Sequence, residues 1–134
     1  MTSQKTIINA LFQKAKQASR NAYAPYSKLQ VGAIVITEKG NAYSGCNMEN
    51  ASFGLTTCAE RNAIAAAVNA EGKKMKIKFI AVTNAKGLAI SPCGVCRQVI
   101  AEFSNKETTE VIFRSAEGVV SKKIHELLPD AFSM

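Results

Sequence analysis

The sequence predicts an α/β fold, a three-layer α-β-α sandwich built on a five-stranded mixed sheet. Helical patterns and short β-rich runs alternate as α-ββ-α-β-α-ββ-α, an order that calls for helices packed on a mixed sheet. At 134 residues the chain is sized for one domain, expected to span 1–134. Its 47% hydrophobic and 20% charged content is that of an ordinary globular protein.

Ile7, Ile8, Leu11, Phe12 and Ala15 recur at helical spacing, so about Lys5 to Ala22 reads as an amphipathic first helix ended by Pro25. Leu29 to Ile36 is β-rich, Glu38-Lys-Gly-Asn supplies turn chemistry, and Asn41 to Cys46 returns as a second strand. Beyond the polar loop Asn47 to Gly54, Thr56 to Ala70 carries excellent helix formers behind a threonine at the capping position, and Gly72 closes the helix. Ile77 to Thr83 is a third strand, and Ser91-Pro92 signals the start of a third helix over Cys93 to Phe103. The unit from Ile77 to Arg114 is expected to be a parallel crossover. Glu110 to Arg114 and Val119 to Ser121 are two further strands, and Lys123 to Leu128 makes a last helical turn or two before Pro129.

Charge and hydropathy exclude several classes. No apolar run approaches the roughly 20 residues of a membrane span, so no membrane partner is expected. Met1 to Lys14 lacks the apolar block of a secretory signal, which makes the cytoplasm the expected compartment. The net charge of +7 raises the question of nucleic acid, but apart from Lys73, Lys74, Lys76 and Lys78 the basic residues are scattered, with no RNA-binding aromatic motif beside them. Nucleic acid is not the expected ligand. His125 falls on no ligand spacing and reads as a surface residue.

The four cysteines point to a metal rather than a disulfide framework. Cys93 and Cys96, three apart on one helix, can reach a single ion. Cys58 and the Cys93 pair both lie at expected helix N-termini, where unpaired N–H groups and the helix dipole favour the thiolate. Three protein ligands would leave a catalytic zinc one open position, whereas Cys46 as a fourth would close a structural site. Glu60, two residues from Cys58, can serve as a proton carrier at an open position, provided Cys58 sits at the mouth of the helix, because i and i+2 otherwise diverge by about 200°. Three thiolates on Zn²⁺ leave a net negative site, which Arg61 or Arg97 can offset by donating to the sulfurs.

Cys-x-Glu followed after thirty-odd residues by Pro-Cys-x-x-Cys is more specific than any of its parts, and it is the arrangement of zinc nucleobase deaminases. Together with Tyr23-Ala-Pro-Tyr-Ser-Lys-Leu-Gln-Val-Gly-Ala, Gly45-Cys-Asn-Met-Glu-Asn-Ala, Thr57-Cys-Ala-Glu-Arg, Ser91-Pro-Cys-Gly-Val-Cys-Arg-Gln-Val-Ile and Glu126-Leu-Leu-Pro-Asp-Ala-Phe, it makes the chain resemble the short, homotetrameric cytidine deaminases. The resemblance implies a cytidine-deaminase-like fold and hydrolysis of cytidine and 2′-deoxycytidine to uridine and 2′-deoxyuridine with release of ammonia, a step of pyrimidine salvage. It implies one Zn²⁺ per subunit on Cys58, Cys93 and Cys96, a zinc-activated water attacking C4, Glu60 as proton shuttle, and Arg61 tempering the thiolate charge.

By the same resemblance Asn47 and Glu49 hold the ribose hydroxyls, Leu29 lines the base pocket, and Ala59 lies among the helix-start amides that contact the base. A backbone carbonyl near Ser91 is expected to meet the leaving amine. Phe132 matches a C-terminal aromatic that reaches the base in a neighbouring subunit, which implies a homotetramer with shared sites. Leu29 departs from the phenylalanine that members commonly carry, leaving an apolar wall without an aromatic face. Blasticidin-type deaminases share the zinc half of the pattern but not Asn47-Met-Glu-Asn. Deaminases of tRNA or DNA more typically have His in place of Cys58.

Overall fold

The computed structural model describes residues 3–134; Met1 and Thr2, part of the stretch read for a secretory signal, lie outside them. The elements run α1 (Gln4–Ser19), β1 (Val31–Thr37), β2 (Ala42–Cys46), α2 (Ala59–Glu71), β3 (Ile77–Asn84), α3 (Gly94–Glu102), β4 (Glu110–Ser115), β5 (Gly118–Lys123) and α4 (Ile124–Leu127). A short 3-10 turn, Phe53–Leu55, sits in the loop before α2.

The five strands form one mixed sheet in the order β2-β1-β3-β4-β5. β3 and β4 are parallel, joined through α3 as the crossover predicts, and the remaining pairs are antiparallel. Alternation along β1 sorts the core into two layers. Val31, Ala33 and Val35 pack with Ala59, Ala63 and Ile64 of α2 and Ile100 of α3, while Ile34 turns the other way onto Leu11 and Ala15 of α1. Helices therefore cover both faces, as the three-layer reading requires.

Two glycines set how closely the helices approach. A Cβ on Gly32 would lie 1.9 Å from the Ala15 carbonyl oxygen of α1, and one on Gly45 would lie 2.4 Å from the Ala63 nitrogen of α2. The second contact brings the start of α2 against the end of β2, immediately before Asn47. Asn62 reinforces it by donating through Nδ2 to the Cys46 carbonyl at 2.8 Å.

Both site helices begin later than the capping residues in the sequence suggest. Thr57 exchanges two backbone hydrogen bonds with Met48, each 2.9 Å, so it is held extended and the N-cap of α2 passes to Cys58. In α3 the cap is Cys93, whose Sγ accepts from the Cys96 amide at 3.5 Å, while Ser91 lies two residues earlier. Gly72 ends α2 in a left-handed conformation, φ 85°, as its place in the sequence predicts. Among the described residues no helix is long and apolar enough to cross a membrane.

Candidate active site

The N-termini of α2 and α3 meet, and the meeting brings three thiols together. The Sγ atoms of Cys58, Cys93 and Cys96 all lie within 4.8 Å of one another, with Cys58 and Cys93 at 3.9 Å. Sulfurs at about 2.3 Å from one tetrahedral zinc stand about 3.8 Å apart, so the donor set fits that ion in kind and in spacing. Among the described residues this is the one such group, and Cys46 is not in it, so the geometry gives no support to the closed four-thiolate alternative. Cys46 is instead a free, half-buried thiol at the end of β2.

Neighbouring thiols shift the ionisation of Cys58 and Cys96. Hydrogen bonding from Cys96, then from Arg61 and Cys93, holds the Cys58 thiol down at about 5 against the opposing effect of burial. The counterpart is Cys96, whose thiol is pushed up by its bond to Cys58, by burial and by the negative charge of Glu60. The thiolate belongs at Cys58, because the Arg61 Nη2 points at that sulfur from 3.4 Å.

Glu60 follows the N-cap by two residues, so Cys58 does sit at the mouth of α2, where the two side chains can converge. Its carboxyl is buried, 4% exposed. Burial, with a contribution from the neighbouring Cys58 charge, raises it to about 7. A carboxyl with a pKa of about 7 has the acidity needed both to take and to return a proton near neutral pH. Ala59, between them, is fully buried as the first residue of the helix.

Of the two arginines considered for the sulfurs, only Arg61 reaches them. Arg97 instead donates from Nε to the Pro92 carbonyl at 2.8 Å, from Nη1 to the Leu127 carbonyl at 2.8 Å and from Nη2 to Ser91 Oγ at 3.4 Å. It thereby fixes the Ser91-Pro92 approach to Cys93 and ties it to the C-terminal helix.

Asn47 and Glu49 extend from the end of β2 toward residues 23–31. Asn47 is buried, accepting from the Val31 amide at 2.8 Å through Oδ1 and donating to the Leu29 carbonyl at 2.9 Å through Nδ2. One N–H and one lone pair of this amide remain beyond those bonds. Glu49 Oε1 accepts from the Tyr26 and Ser27 amides at 3.0 and 3.1 Å, and Oε2 accepts from the Ser27 hydroxyl at 2.5 Å. These donors, the Ser27 hydroxyl foremost, hold the carboxyl below the usual range. Leu29, partly buried, packs against the core beside β1. Ser27 is the participant that sequence reading missed. It stands inside the Tyr-Ser segment that carries the resemblance, but its pairing with a carboxylate twenty-two residues away leaves no periodic or spacing signal.

Phe132 is not drawn into the core. Its carbonyl accepts from Gln98 Nε2 at 3.1 Å while the residue remains 72% exposed, beside a cavity of about 310 Å³ between α3, α4 and the tail. His125 is exposed, as expected.

The family model for the cytidine and deoxycytidylate deaminase zinc-binding region matches residues 5–113. A cytidine deaminase of Sporosarcina psychrophila is 40% identical over 126 residues, 94% of this chain and 91% of that protein. One of Halalkalibacterium halodurans is 41% identical over 124 residues, 92% of each. Among solved structures, the cytidine deaminase of Burkholderia pseudomallei superposes with a TM-score of 0.83 at 43% identity, covering 98% of this chain and 100% of that one.

Proposed function

The chain belongs to the cytidine and deoxycytidylate deaminase family, and we propose that it removes the 4-amino group of cytidine and 2′-deoxycytidine by hydrolysis. The products are uridine or 2′-deoxyuridine and ammonia. The observation that carries this reading is the convergence of the Cys58, Cys93 and Cys96 sulfurs, with the buried Glu60 two residues from the first of them.

Cys58, Cys93 and Cys96 would hold one zinc ion per subunit, which when bound supplies an acidified water as nucleophile at neutral pH. Glu60 takes one proton from the attacking water and delivers it to N3 of the pyrimidine as C4 is attacked, then takes the second from the new C4 hydroxyl and passes it to the departing amine, leaving the C4 carbonyl and ammonia. Arg61 draws charge from Cys58 and so keeps the thiolate set from quenching the metal's acidity. With the Pro92 carbonyl occupied by Arg97, the Ser91 carbonyl is the group we assign to the leaving amine. Ala59, at the start of α2, offers its amide to the base.

Asn47 and Glu49 are assigned to the sugar hydroxyls and Leu29 to the base wall. The support is that all three belong to one hydrogen-bonded unit beside α2, and that both polar side chains retain bonding capacity. This favours nucleosides over free cytosine and fits a role in pyrimidine salvage in the cytoplasm.

A homotetramer with shared sites is supported by exposed apolar side chains. Phe53 is 77% and Leu55 65% exposed, and Phe53 meets the half-exposed Tyr26 edge to face, with ring centroids 6.2 Å apart. Phe132, equally uncovered, is assigned to a neighbouring subunit's base.

Ammonia release from cytidine, measured alongside metal content, tests the reading. The expected result is stoichiometric ammonia and uridine with one zinc per chain. Protein carrying one zinc per chain that is inert toward cytidine would overturn it.

A further inference from the structure

Residues 26–29 form a turn that directs the Tyr26 amide, the Ser27 amide and the Ser27 hydroxyl at Glu49. The Tyr26 and Ser27 amides hold Oε1, which takes both of its donors from the backbone. The Ser27 hydroxyl holds Oε2. That hydroxyl has a fixed sense, because the Leu29 amide donates to it at 3.0 Å and the ionised carboxylate can only accept. The chain therefore runs Leu29 N–H to Ser27 Oγ–H to Glu49 Oε2.

Two further observations mark this turn as held rather than incidental. Lys28 lies in the left-handed region, φ 62°, which a lysine enters only when its surroundings impose it. The far side of Leu29 is fixed as well, its carbonyl accepting from Asn47.

Each carboxylate oxygen accepts about two hydrogen bonds. Oε1 is filled, so the capacity left for a sugar hydroxyl is on Oε2, the atom that Ser27 alone holds. We propose that Ser27 is a positioning residue, whose hydroxyl, aligned by the Leu29 amide, aims Glu49 Oε2 at the 3′-hydroxyl of the nucleoside. The proposal rests on the assignment of Glu49 to the sugar. Without the hydroxyl the carboxylate stays pinned through Oε1 but is free to turn about it.

Steady-state kinetics on the zinc-loaded protein with cytidine and 3′-deoxycytidine test this. Ser27→Ala is expected to raise KM for cytidine by roughly ten-fold, the scale of one lost hydrogen bond to a charged group, with kcat within about twofold. With 3′-deoxycytidine its KM is expected to move by less than about twofold, the ordinary scale of a distant surface change. Ser27→Thr, which keeps the hydroxyl, restores the cytidine KM. If Ser27→Ala fails to fold, Ser27→Cys, near in size and a weak donor, gives the same split. Equal losses on both substrates, or an unchanged cytidine KM, overturn the proposal. Glu49→Gln separates the two levels. If it discriminates between the substrates and the Ser27 variants do not, only the positioning role falls. If Glu49→Gln itself fails to discriminate, the sugar assignment falls and the Ser27 role with it.

Discussion

Arg61 reaches back one turn along α2 to Cys58, its guanidinium 3.4 Å from the sulfur of the helix's own N-cap. A helix start that offers a thiolate and a cation three residues on holds the sulfur's negative charge without leaving it unopposed, which suits the ligand role proposed for Cys58.

In the proposed zinc site, removing that cation would leave three thiolates to donate fully to the ion and would weaken it toward water. Arg61→Gln is expected to lower kcat/KM for cytidine by roughly 10–100-fold in protein of unchanged metal content. Spectrophotometric assay with parallel metal analysis checks it, and an unchanged rate would contradict the tempering role.

Glu60 is the proton carrier of the account and not a ligand. Glu60→Gln should retain the metal while kcat falls by roughly 10²–10⁴-fold, the usual share of a positioned acid–base group. Loss of metal in this variant would show that the carboxylate serves the ion instead.

Expectations drawn from neighbours in the chain held best. The helix-strand alternation, the end of α2 at Gly72 and the Cys93–Cys96 spacing are local, and the backbone expresses them directly. Features created by tertiary approach were not legible. Thr56 and the Ser91-Pro92 start signal stand ahead of the site helices, yet the caps are Cys58 and Cys93; in α2 Thr57 is claimed by Met48, and in α3 the Cys93 sulfur itself accepts from the Cys96 amide. Arg97 borders a ligand just as Arg61 does, and only the packing of α4 draws it away to Leu127. The bond between Ser27 and Glu49 joins two exposed-looking positions whose meeting depends on where β2 delivers residue 49.

Glu71, at the end of α2, supplies a pH-dependent tie to the β1–β2 hairpin. Its carboxylate accepts from Asn41 Nδ2 at 2.9 Å and from the buried Thr37 hydroxyl at 2.8 Å, and these bonds, Asn41 first, lower its pKa. A carboxyl lowered by folding stabilises the protein above its ordinary value of 4.5 and loses that effect as pH falls through the folded value. Glu71→Ala should therefore melt a few degrees below the parent at pH 7, with the gap closing in more acidic buffer. Thermal melts across pH check this; a gap independent of pH would contradict it.

Gly32 lets α1 lie on the sheet, since a Cβ there would sit 1.9 Å from a helix carbonyl. Gly32→Ala is expected to cost about 3 kcal/mol, at the upper end of overpacking penalties, because the obstacle is backbone. Urea denaturation measures it, and a loss below about 0.5 kcal/mol, the scale of a neutral surface change, would show that α1 shifts freely.

X-ray absorption at the zinc edge of the purified protein addresses the site most directly. Three sulfur scatterers at about 2.3 Å with one oxygen or nitrogen are expected, unchanged in Cys46→Ser. Four sulfurs around the ion, with one lost in Cys46→Ser, would contradict the account.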